Sequence, residues 1–243
     1  MPILVLLFAM PLQAAPWQVY THSLEQQASQ ASGELRGLEH GGKRAFYLEL
    51  VRTLLHDLGE PVKIVEVPLA RGLMLAQSRA HVVLFNLSRT EEREAHFRWI
   101  GPTLNETDYL YELRASPTGI RQLADAQDMP ICVLNGGLHE SMLSKQKFSA
   151  LQRSNSYSGC FRMLAANRVS LVATSSSDLL QKVESAGITA DDVQPSAVSL
   201  GQDQGYIALS LDTPEVEVQR WQAALEKLQL DGRYQQLYMR YVQ

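Results

Sequence analysis

Apolar positions along the chain change period several times, and each change marks an element. Residues 17–21 alternate and predict a first strand. The stretch 22–42 is polar, with Gln, Ser and Gly, and reads as a long loop. From 44 to 58 the spacing becomes helical: Tyr47, Leu50, Val51, Leu54, Leu55 and Leu58 fall on one face, and Gly59 stops the helix. A β-branched strand over 62–67 and a short helix over 69–77 follow. Residues 81–85 are a near-continuous apolar run of strand length, as expected for a strand covered on both faces.

The pattern then restarts. Residues 108–115 are extended, 120–126 form a short helix, and 130–134 form a strand. Asn135-Gly136-Gly137 is a tight turn that opens another helix. Residues 169–174 predict a buried strand, and Ser175-Ser176-Ser177-Asp178 offers N-caps for a helix that ends at Gly187. After a last strand over 206–211 comes a helix with Val218, Trp221, Leu225 and Leu228 on one face. Asp231-Gly232 interrupts it, and a final helix carries Tyr234, Leu237, Tyr238 and Tyr241.

Strands alternating with helices imply an α/β fold whose parallel strands are joined by right-handed crossovers. One α/β unit, a second one and a return suggest two lobes, 16–110 with 208–243 and 111–207. The extended segments 108–115 and 203–211 are the candidates for paired crossover strands. Two such strands make a hinge with a cleft between the lobes, and ligands in open α/β sheets bind beyond the carboxyl ends of strands.

Charge narrows the partners. A net charge of −4 over 243 residues gives no reason to expect nucleic acid. Residues 3–10 are apolar and run into Pro11-Leu12-Gln13-Ala14-Ala15, the small-residue end of a signal peptide, so 1–15 are expected to be removed on export. No basic residue precedes that run, and a buried first strand is the alternative. Cys132 and Cys160 permit a disulfide in an oxidising compartment, or are two small buried hydrophobes. The six histidines lack metal-ligand spacing, so neither a metal nor a cofactor is expected.

Three stretches carry a resemblance. Pro68-Leu69-Ala70-Arg71-Gly72-Leu73 precedes a buried strand. That strand leads into Asn86-Leu87-Ser88-Arg89-Thr90-Glu91-Glu92-Arg93, then Phe97-Arg98-Trp99-Ile100-Gly101-Pro102. Near the end stand Ala224-Leu225-Glu226-Lys227-Leu228 and Asp231-Gly232-Arg233-Tyr234. In order and spacing this resembles bacterial solute-binding protein family 3, the periplasmic polar-amino-acid-binding proteins of ABC importers. The resemblance implies the two-lobed type II periplasmic-binding-protein fold, a monomer, a periplasmic location and no catalysis. It also implies a small-molecule ligand and, as partner, either importer membrane subunits or a signalling sensor protein.

The resemblance places the ligand-clamping arginine at Arg93, whose planar donor fork matches a carboxylate. Without it, Arg93 reads as one of a run of solvated surface charges. Asn86 and Ser88 would add hydrogen bonds, Arg71 a second cationic contact. Gly136 and Gly137 would offer free N–H groups to an anion at a helix start. Departures follow. The acid that meets a ligand ammonium in amino-acid binders is Ser175 here, and two customary aspartates fall on His81 and Ser170. A ligand ammonium without a carboxylate partner is costly to desolvate, so anions are expected to bind better than α-amino acids unless Asp178 or Asp203 reaches the site. A dehydratase-like enzyme on the same fold is a further alternative, for which no His–acid motif is visible in the sequence.

Overall fold

A computed structural model, describing residues 16–242, puts the helical face over 44–58 at the centre of the first lobe. The chain opens with β1 (Gln18–Thr21), and a hairpin of β2 (Ala28–Ala31) and β3 (Glu34–Gly37) stands where a loop was expected. Helix α1 (Lys43–Asp57) follows, then β4 (Ile64–Glu66), α2 (Leu69–Ser78), β5 (Val82–Ser88) and a single turn, α3 (Glu91–Glu94). Phe46, Tyr47, Leu50 and Leu54 of α1 pack with Val83 and Phe85 of β5 and with Trp221 and Leu225 further along. Leu54 is fully buried, so Leu54→Ala removes roughly 2–5 kcal/mol.

The second lobe begins inside β6 (Phe97–Leu113), far longer than the expected 108–115. It continues through β7 (Ile131–Leu134), α4 (Leu138–Lys145), β8 (Leu151–Ser154), α5 (Tyr157–Ala165), β9 (Leu171–Ser175) and α6 (Leu179–Glu184). Strand β10 (Val193–Ser210) returns the chain, and α7 (Glu215–Leu230) and α8 (Arg233–Tyr241) close it. Strand β8 and helix α5 had no expected counterpart. Strand β8 has exposed residues at Gln152 and Arg153, which blurs its pattern.

The eight main strands lie in the order β4-β1-β5-β10-β6-β9-β7-β8. The flanking threes, β4-β1-β5 and β9-β7-β8, are parallel within themselves. Between them β10 and β6 run antiparallel for most of their length, β10 bonding to β5 at one end and β6 to β9 at the other. The molecule is therefore two α/β lobes joined by two long strands. Their alternation puts Glu106 and Asp108 of β6 on one face, and both are buried where the strand lines the cleft. A Cys132–Cys160 disulfide ties β7 to α5, with Cα atoms 5.4 Å apart. The signal-peptide expectation for 1–15 lies outside the described residues. No helix among the described residues is long and apolar enough to cross a membrane.

Candidate functional site

The carboxyl ends of the strands converge on a small, partly enclosed cavity between the lobes, about 50 Å³ in volume. The first lobe contributes His22, Lys43, Arg44, Asn86, Ser88 and Arg93. The crossover strands contribute Glu106, Asp108 and Asp203. The second lobe contributes Gly137, His139, Tyr157 and Ser175.

Arg93 lines the cavity. Glu91, Glu92 and Glu94 of α3 are exposed while Arg93 between them is only 9% exposed. Its Nη1 donates to Ser88 O at 2.9 Å and its Nη2 to Gly136 O at 2.6 Å. The guanidinium thus reaches from the first lobe to the second. Two of its five N–H groups are spent on carbonyls. Burial pushes its pKa down to about 10, so it stays a cation at neutral pH.

Ser88 Oγ donates to Asp203 Oδ2. Asn86 takes a left-handed conformation, φ 60°, and its buried Nδ2 has no hydrogen-bond partner. Its carbonyl accepts from His22 Nε2 at 2.9 Å. Burial and the nearby Arg44 charge push His22 down to about 3, so the ring is neutral and the proton sits on Nε2.

Three expectations are corrected. Arg71 is exposed on α2 and does not line the cavity, because the turn of that helix points it to solvent. Gly136 and Gly137 offer no free N–H groups: Gly136 N donates to Glu140 Oε2 at 2.5 Å and Gly137 N to Leu134 O at 2.8 Å. Gly137 lines the cavity and Gly136 does not, although the Gly136 carbonyl receives Arg93. Asp178 precedes α6, but its side chain makes no cap hydrogen bond. It turns instead to Arg44 of α1 across the cleft and accepts from Gln27 Nε2 at 2.8 Å. Its Oδ1 lies 2.7 Å from Lys182 Nζ. Burial opposes its charge, yet Arg44, Lys182 and Lys43 hold its carboxyl well below the usual carboxylate range.

Ser175 does line the cavity, and a cation already stands beside it. Lys43 Nζ is 3.4 Å from Ser175 Oγ and 2.7 Å from Glu106 Oε2, and Lys182 Nζ is 3.3 Å from the same hydroxyl. Burial lowers the Lys182 ammonium to about 8, against the pull of Asp178.

Of the two acids named as able to reach the site, Asp203 lines the cavity and Asp178 does not. Glu106 and Asp108 line it as well. Asp203 is pushed up by burial and by the charges of Asp108 and Glu106. His139 Nε2 sits 3.3 Å from Asp108 Oδ2 but is not aligned as a hydrogen bond. Lys43, Arg44, His22, Tyr157, Glu106, Asp108 and His139 were missed as site residues. One signal was available: in Glu106-Thr107-Asp108-Tyr109-Leu110, two acids and a leucine share one phase of a strand.

The first lobe also docks on the second away from the cavity. Glu25 accepts from Tyr157 N at 2.6 Å and Ser158 N at 3.2 Å, a carboxylate at the start of α5. Its carbonyl accepts from Ser185 Oγ at 2.8 Å.

No protein-family model matches the chain, and no curated protein matches it. Solved structures do. A P235GK mutant of the arginine-binding protein of T. maritima superposes with a TM-score of 0.75 at 18% identity, over 91% of this chain and 93% of that one. A histidine kinase sensor domain with similarity to periplasmic binding proteins gives 0.75 at 16%, over 91% and 93%. An ancestral amino acid-binding protein, a precursor of cyclohexadienyl dehydratase, gives 0.73 at 16%, over 94% and 95%. At such identities the shared property is the fold.

Proposed function

We propose that this chain, which has the two-lobed type II periplasmic-binding-protein fold, captures a small polar molecule between its lobes and delivers it to the membrane subunits of an ABC importer. In this reading the lobes are 16–110 with 208–243, and 111–207. The protein works as an exported monomer in the periplasm, with 1–15 as its signal peptide. The disulfide between Cys132 and Cys160 fits an oxidising compartment.

The observation that carries the reading is the state of the buried polar atoms around the cavity. Asn86 Nδ2 from the first lobe, Glu106 Oε1 from a crossover strand and His139 Nε2 from the second lobe all lack hydrogen-bond partners. A buried polar group without a partner costs about 1–3 kcal/mol, and such groups in natural proteins call for an explanation. These three, with Arg44 Nε of the same cavity, are explained by a polar ligand that pairs with both lobes at once. Arg93, Ser88, Asn86 and Ser175 are its proposed contacts.

A thermal-shift screen with amino acids, organic acids and polyamines tests this. A ligand specific for the folded state raises the melting temperature by mass action. Arg93→Ala is expected to abolish the shift produced by the best solute. A shift unchanged in Arg93→Ala would place binding elsewhere.

Two other readings have an observation behind them. The likeness to a histidine kinase sensor domain supports solute sensing, with a signalling protein as partner. The His139–Asp108 contact in the cavity supplies a pair of groups that acid–base catalysis would need. Turnover of a cyclic prephenate-like acid, lost in His139→Gln, would support a dehydratase. Stoichiometric binding without turnover supports the capture reading.

A further inference from the structure

The lobes meet along a seam beside the cavity. Gln27 and Arg44 of the first lobe and Asp178 of the second share one set of hydrogen bonds. Gln27 Oε1 accepts from Arg44 N at 2.8 Å, Gln27 Nε2 donates to Asp178 Oδ2 at 2.8 Å, and Arg44 Nη1 donates to the same oxygen. Gln27 and Arg44 are buried, and the Asp178 side chain has no exposed surface. Bonds of this kind, between ionised partners, are the strong ones.

The backbone is fitted to that contact. A Cβ at Gly42, just before α1, would stand 2.9 Å from Asp178 Cβ and 3.0 Å from Gln27 Oε1. The Arg44 guanidinium also lies over the ring of Tyr157 in α5, 5.2 Å from its centroid. Glu25 extends the seam to the start of α5, and Gln181 Nε2 donates to His40 O at 3.2 Å. Burial opposes the charge of Asp178, and of the three cations that hold its carboxyl low, Arg44 and Lys43 come from the first lobe. Glu25, Gln27, Asp178 and Gln181 do not line the cavity. The seam is chain against chain, and its bonds form with no solute taking part.

We infer that the Gln27–Arg44–Asp178 seam is a latch: through the chain's own side chains it holds the two lobes closed in solution, and the crossover strands let them part only when it unhooks. Solute enters through the minor open form, so unlatching gates association. The inference goes beyond the capture reading and does not depend on which solute binds.

The distance between the lobes tests it. Cys132 and Cys160 are the only cysteines of the chain and are paired with each other, so new thiols label selectively. Spin labels are placed on Met74→Cys of α2 and Ser144→Cys of α4, exposed positions on opposite lobes. The full protein is refolded from denaturant to remove carried-over solute, and pulsed EPR reads the label separation with no solute added. The inference expects one closed distance matching the structure, with an open form in fewer than about one molecule in ten. Arg44→Met removes the first-lobe cation, and Asp178 regains water only when the lobes part. The longer distance is then expected to gain about tenfold or more in population relative to the closed one. Should Arg44→Met not fold, Glu25→Gln takes its place, with a smaller rise expected. A predominantly open wild type overturns the inference. So does a wild-type distance distribution in Arg44→Met, or in Glu25→Gln where that variant replaces it. Neither result touches the capture reading, which the solute screen tests separately.

Discussion

Asp178 and Asp203 are two aspartates at one cleft, and the protein treats them in opposite ways. Asp178 is surrounded by Arg44, Lys182 and Gln27, which between them reach both of its oxygens. Asp203 has the Ser88 hydroxyl, the Gln204 backbone N–H and two neighbouring carboxylates, and no cation. The first carboxyl is held low and the second pushed up. An acid that serves the fold is supplied with counter-charges by the chain itself. Asp203 lines the cavity and forms no ion pair among the described residues.

The largest effect is expected from breaking the satisfied side. Asp178→Ala leaves Arg44 and Lys182 buried without their counter-ion, and removing one member of a buried ion pair costs about 3–5 kcal/mol. Urea unfolding checks this. A loss below about 1 kcal/mol would show that the cluster is not the structural element of the comparison.

Glu25→Gln comes next. It removes the charge that the first lobe places at the start of α5 and keeps the side-chain shape, at an expected cost of about 1 kcal/mol. Glu25 does not line the cavity, so ligand chemistry should not change. A switch in which solutes bind would contradict that division.

Acid titration separates the two aspartates by sign. The depressed carboxyl of Asp178 contributes stability that is present above its ordinary pKa and is lost as pH falls through its native one. The raised carboxyl of Asp203 works the other way: it costs stability at neutral pH, and that cost fades as the pH falls toward its ordinary value. Asp178→Asn should therefore flatten the acid loss of stability, whereas Asp203→Asn should steepen it. Changes of the same sign in both variants would break the comparison.

The smallest effect belongs to Arg71→Ala. Exposed and outside the cavity, Arg71 should move stability by no more than about 0.5 kcal/mol and leave binding unchanged. A loss of binding would restore it to the site.

These contrasts also show what could be read in the sequence. Two lobes and the return of the chain were visible because buried parallel strands and one-faced helices leave strong periodic signals, as at 81–85 and along α1. The lengths of β6 and β10 were not. The parts that were missed, 97–107 and 193–202, carry polar residues such as Asn105 and Gln202, which resemble loop. Arg93 and Ser88 were placed in the cleft through the resemblance. Lys43 and Arg44 were hidden because they open a helix at its buried end, where a sequence suggests solvated charge. Asp178 was taken for a cap because a short polar run before a helix usually supplies one; only the packing of α1 against the second lobe brings Arg44 to it. Ser175 stands in the cavity beside Lys43 and Lys182. The acids that share the cavity with it, Glu106, Asp108 and Asp203, come from strands more than 25 residues away in either direction, a proximity that no local pattern encodes.

A carbon-detected NMR titration of the side-chain carboxyls tests the account most directly, because Asp178 and Asp203 report in one experiment. The account predicts that Asp178 stays ionised well below the usual carboxylate range and that Asp203 takes up its proton above the ordinary aspartate value. A depressed Asp203, or an Asp178 that titrates in the ordinary carboxylate range, would contradict it.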